Sequence, residues 1–121
     1  AWRINFTSAS STLDMSVPHA TTNASYKIAN PSTGVRGFAF EYNATTKALR
    51  IVLLESGAMV VPPPVTAPTA GSGDYVPPAA VYSVMNNSLN SAGMDCLLDE
   101  LLIFSRIPTD EEYGHLASFF T

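Results

Sequence analysis

The side chains able to do chemistry are few and poorly grouped. Two histidines occur, His19 beside Pro18 and His115 near the C-terminus, and neither stands with a nucleophile and an orienting acid. The adjacent acids Asp99 and Glu100 lie in a run with strand character, so they point to opposite faces and cannot flank one glycosidic bond as a carboxylate pair must. Asp110, Glu111 and Glu112 form a second acidic group whose spacing speaks for capping: Thr109 stands three residues before Glu112, the arrangement of a capping box, and acids favour the positive end of a helix. Asp14, Asp74 and Asp95 sit in or near turns without the spacing of a calcium loop. Paired His/Cys spacing and a phosphate-cradling glycine loop are both missing. Cys96 is the only cysteine, so an internal disulfide is excluded and a buried structural thiol is expected. The sequence therefore predicts no catalytic residue, no metal ligand and no cofactor. It does offer four N-glycosylation sequons, at Asn5, Asn23, Asn43 and Asn86, of which Asn43 is the best placed because its surroundings read as a hairpin tip.

The elements that must carry these residues belong to one domain, 1–121, since 121 residues close one core and not two. Apolar residues make up 46% and charged residues 13%, too apolar for disorder and about half the usual charge. Ten acids against six bases, with no basic cluster, argue against nucleic acid as a partner. The apolar stretch 59–65 is broken by prolines, so membrane insertion is not expected, and the first residues do not read as a signal peptide.

Period-two alternation predicts strands over 2–7, 13–17 and 25–29, the last closed by the turn-forming run Asn30-Pro31-Ser32-Thr33-Gly34. The strongest signal is a hairpin: Gly37 to Tyr42 and Ala48 to Leu54, joined by residues 43–47. It would set Phe38, Phe40 and Tyr42 on one face against Leu49, Ile51 and Leu53. Residues 60–78 hold six prolines and two glycines, which rules out a helix or an interior strand and predicts a stiff arm or long loop. A further strand is expected at 80–84 and an Asn-rich turn at 85–90. Tyr113, Leu116, Ala117 and Phe120 recur at helical spacing, so the Thr109 cap opens a short helix with one apolar stripe lying on a sheet.

The closing run from Gly93 to Tyr113 resembles the end of laminin-G-like domains. Leu98-Asp99-Glu100 stands for the family's aliphatic-Asp-Glu strand, Phe104 for its strand aromatic, Arg106 for the link arginine, and Thr109 with Glu111 and Glu112 for the helix opening. The hairpin is similar to the family's central pair. Cys96, Leu102 and Pro108 depart from the pattern. The resemblance implies an all-β fold, an antiparallel β-sandwich (jelly roll) of concanavalin A-like type with one short C-terminal helix, here abbreviated.

Small size, low charge, the arm and the lack of catalytic groupings together lead to the expectation of a non-enzymatic structural module. It would decorate or cement a virion, a tail fibre or an extracellular filament, at an extracellular or virion surface, by contacting other protein subunits. Val61, Pro62, Pro63, Pro64, Tyr75 and Pro77 of the arm are the expected contact residues. The alternative is a lectin-like module binding glycans, with Trp2, Tyr75 and Tyr82 as stacking platforms.

Overall fold

The computed structural model describes residues 3–7, 12–29, 37–55, 57–77 and 102–119, with the backbone alone for 3–7. In chain order the described elements are β1 (Arg3–Thr7), β2 (Thr12–Val17), β3 (Ala24–Ala29), β4 (Gly37–Asn43), β5 (Ala48–Glu55), β6 (Ala58–Val60) and α1 (Asp110–Ala117). The strands form two antiparallel sheets, ordered β1-β2-β3 and β4-β5-β6. The chain is thus mostly β with one short helix.

Alternation decides what each sheet buries. Leu13, Met15 and Val17 of β2, with Ala24, Tyr26 and Ile28 of β3, point to the same side as Leu49, Ile51 and Leu53 of β5, and all nine residues join one buried cluster. Phe38, Phe40 and Tyr42 of β4 pack against it, half-buried. The hairpin register pairs Phe38 with Leu53, Phe40 with Ile51 and Tyr42 with Leu49, the aromatic-on-branched pairs read from the sequence. Phe38 and Phe40 also stack, with ring centroids 6.0 Å apart. The intervening residues of β5, Val52 and Leu54, face a second cluster with Tyr113 and Ala117 of α1, joined by Ala39, Met59 and Leu116. Strand β5 is therefore buried on both faces, which is why 51–54 is a continuous apolar run rather than an alternating one.

The cap of α1 forms as its spacing requires. The Thr109 hydroxyl accepts from the Glu112 amide at 3.2 Å while a Glu112 oxygen accepts from the Thr109 amide at 2.9 Å. Arg106 then clamps the same carboxylate with two bonds of 2.7 Å, tying the link before the helix to its first turn.

Three features differ from expectation. Strand β6 is extra: Gly57, at φ 74°, turns the chain tightly enough for 58–60 to pair back on β5. Leu102, Ile103 and Phe104 are irregular and exposed, Ile103 at 88%, although the resemblance put Phe104 on a strand. A strand exists only through a ladder partner, and no described strand pairs with these residues. Asp14, read as near a turn, lies inside β2. The strand expected at 80–84, the turns at 30–34 and 85–90, Cys96, Leu98-Asp99-Glu100, Asp95 and Phe120 lie outside the described residues.

Candidate functional site

The site grows from an edge that has to be covered. Strand β3 ends its sheet, so its outer side would leave a row of unpaired N–H and C=O groups. The proline-rich segment after β6 runs along that side. Ser25 and Thr69 exchange backbone bonds of 2.9 and 3.1 Å, Val65 donates to the Lys27 carbonyl at 2.9 Å, and Ser72 exchanges bonds with Thr22. Further along, Ala20 donates to the Asp74 carbonyl and Val76 to the Pro18 carbonyl. The donors the arm supplies here are non-proline residues between 65 and 76, and of the described prolines Pro62, Pro63, Pro64 and Pro77 flank that stretch while Pro68 alone falls inside it. The composition that rules out an interior strand thus still permits a discontinuous cover.

The far end of the arm is locked by His19. Its imidazole is buried, with Nδ1 3.1 Å from the Gly73 carbonyl and Nε2 3.0 Å from the Tyr42 hydroxyl. A carbonyl only accepts, so Nδ1 donates to it, and Nε2 shares the second bond with the Tyr42 hydroxyl. The Gly73 oxygen also accepts from Lys47 Nζ at 2.7 Å, and the Lys47 carbonyl accepts from the Gly71 amide at 2.8 Å. Two glycines make this possible. A Cβ on Gly71 would stand 2.3 Å from the His19 ring, and Gly73 holds φ 77° to turn its carbonyl inward. With both ring nitrogens engaged, His19 ties the end of the arm to β4. Sequence reasoning missed it, because the residues that partner it are remote in the chain.

The expected contact residues divide by side. Val61, Pro63, Pro64, Tyr75 and Pro77 are exposed and Pro62 is half-buried, its carbonyl accepting from the Tyr26 hydroxyl at 3.4 Å. Val60, Val65 and Val76 are also exposed, each above 40%. The Tyr75 ring lies against those of His19 and Tyr42, with centroids 6.1 and 6.2 Å away, so only part of it is free to stack on a ligand. Trp2 and Tyr82 lie outside the described residues. Asn43 is exposed at the end of β4, its side-chain oxygen accepting from the amides of Thr45 and Thr46 at 3.0 and 3.1 Å.

Among the described residues Glu41 is the buried acid, and its contacts join parts of the fold. Glu41 takes two bonds of 2.8 Å from Arg50 and one of 2.7 Å from the Tyr113 hydroxyl, joining the sheet to α1. Burial first, and the Glu41 carboxylate second, push the Tyr113 phenol above its ordinary value of 10.0, while the bond to Glu41 raises Arg50. Three bonds accepted from two elements hold this carboxylate as a tie between the sheet and α1. His115 is exposed beside Glu111 at 3.8 Å, and among the described residues no group of three His, Cys, Asp or Glu is placed to hold a metal ion. No family model matches the chain, and no curated protein and no solved structure matches it.

Proposed function

We propose that the chain is a non-catalytic module that contacts other protein subunits through the outer side of its arm. The observation that carries this is a division of labour within 60–77. The backbone is hydrogen-bonded inward to the edge of β3, while Val60, Val61, Val65, Tyr75 and Val76 turn outward at 38–48% exposure. Apolar side chains held outward on an already ordered backbone form a contact surface that a partner can bury without ordering it first.

The wider reading is that the two sheets make a shortened sandwich of jelly-roll, laminin-G-like or concanavalin A-like type. The cluster shared by β2, β3, β4 and β5 and the Arg106–Glu112 link to the capped helix support it. The low charge and the exposed Asn43 sequon support a setting in an extracellular or virion-surface assembly. The test is a Val61→Asp/Val65→Asp variant, with sedimentation of the native material and of the variant side by side. The expected result is native chain sedimenting as part of a larger particle, and a variant that melts as before but sediments alone. Native chain that sediments as a monomer would overturn the reading.

A further inference from the structure

The turn between β4 and β5 presents a side chain that the core does not use. Residues 43–46 are exposed, and Asn43-Ala44-Thr45 is the tripeptide on which N-linked glycans are built. The turn also fixes how the amide stands. Asn43 Oδ1 accepts from the Thr45 and Thr46 amides at 3.0 and 3.1 Å, so the amide plane is held against the backbone while Nδ2, on the same carbon as Oδ1, is directed away from those donors. Among the described residues nothing accepts from Nδ2. Asn43 also lines, with Thr46, Ala48, Leu49 and Ile107, an open groove of about 280 Å³, room for a group attached at this position. The other sequons within the described residues are placed differently. Asn5 stands mid-strand in β1, opposite Asp14 in the ladder. Asn23 is exposed, but its Oδ1 accepts from the His19 amide at 3.1 Å, and the arm pairs with Thr22 before it and Ser25 after it, so a bulky group there would crowd the seat of the arm.

We propose that Asn43 carries a covalent N-linked glycan. The reaction is a group transfer from a saccharide carried on a polyprenyl diphosphate. Asn43 Nδ2 attacks the anomeric carbon, the new C–N bond forms as the C–O bond to the diphosphate breaks, the diphosphate leaves with the bonding pair, and an Nδ2 proton passes to a base of the transferase. The Thr45 hydroxyl is what the transferase reads two positions on. The folded hairpin accommodates the product, because attachment uses Nδ2 alone and both bonds that shape the turn are accepted by Oδ1. The inference goes beyond subunit contact and rests only on the extracellular setting of that reading.

The test is peptide mass spectrometry on the native chain and on the chain secreted from a eukaryotic cell, each before and after the amidase that releases N-linked glycans and leaves a carboxylate at the attachment position. The peptide spanning Asn43 should carry an N-acetylhexosamine-based mass in both, and the amidase should remove it. Thr45→Ala should abolish that mass and melt as the parent does, since the donors to Asn43 Oδ1 are backbone amides that the variant keeps. Thr45→Ser should retain the glycan at reduced occupancy. An unmodified Asn43 in the secreted chain, or a mass that persists in Thr45→Ala, overturns the inference and leaves the extracellular setting standing. An Asn43 modified in the secreted chain and bare in the native one overturns that setting and the inference with it. A native chain that is glycosylated at Asn43 yet sediments as a monomer supports the inference and overturns subunit contact alone.

Discussion

At the scale of single residues, the positions that matter most are those where a remote part of the chain comes close. Gly71 lies flat against the His19 ring, so Gly71→Ala should displace the arm and lower stability by roughly 1–3 kcal/mol, the usual cost of overpacking. Gly114 has open space around its Cβ position and sits within α1, so Gly114→Ala should instead raise stability by about 0.5–1 kcal/mol. Urea denaturation of the two variants checks both signs at once, and a Gly71→Ala variant as stable as the parent would contradict the close packing. Tyr113→Phe removes one of the three bonds that Glu41 accepts and leaves a shielded charge less well solvated. It should cost about 1.5–3 kcal/mol, measured in the same way. The sequence offered Tyr113 as an apolar helix residue; that its hydroxyl reaches Glu41, 72 positions away, follows only from how α1 lies on the sheet.

At the scale of elements, α1 is the clearest case of local rules and packing agreeing. Its eight residues are too few to hold a helix alone in water, so the cap and the buried stripe share the task. The Glu112 carboxyl is held at about 2, against an ordinary 4.5, by Arg106 first and by the Thr109 amide next. A carboxylate with a depressed folded value contributes stability that is present above its unfolded value and is lost as the pH falls through the folded one. The capped helix should therefore weaken between pH 4.5 and about 2. Thermal melts across that range should show a smaller acid loss for Glu112→Gln than for the parent, and equal slopes would remove the cap from the account. Ending the chain after Ile107 exposes Val52 and Leu54 and discards the burial of Tyr113. At roughly 1.5–3 kcal/mol per large side chain the loss should reach several kcal/mol, and an unchanged melting temperature would show that α1 is not part of the core.

At the scale of the whole molecule, the arm is the feature whose meaning the tertiary structure changes most. Its prolines predicted a stiff segment that a neighbour would dock, and its backbone is docked on the chain's own β3 edge. Deleting 62–73 would remove the Ser25–Thr69 and Thr22–Ser72 pairings and the carbonyl shared by His19 and Lys47. The shortened chain should melt lower, and its bared strand edge should make it aggregate at concentrations where the parent does not. Light scattering during a thermal ramp reads both, and a deletion that melts like the parent and stays dispersed would make the arm a passive loop. The outward valines act at the same scale: charging them should alter association and leave melting unchanged.

Chain-local physics determined a large part of this protein. Period-two alternation marks strands at 13–17 and 25–29, where one side chain in two is buried, and the runs 37–42 and 48–54 are marked by their β-rich composition on either side of a turn. Turn chemistry marks the 43–47 connection, and the spacing of Thr109 and Glu112 marks the first turn of α1. The aromatic-to-branched pairing of β4 with β5 was legible because a short loop leaves one register in which both apolar faces coincide. Tertiary structure alone decided that β2 and β3 share a core with β4 and β5, that His19 closes the arm onto Tyr42 and Gly73, and that Asp14 and Lys27 meet beside Thr66 to Pro68. Contacts between segments dozens of residues apart leave no periodic trace in either segment; they arise when unsatisfied edges and faces find one another in three dimensions.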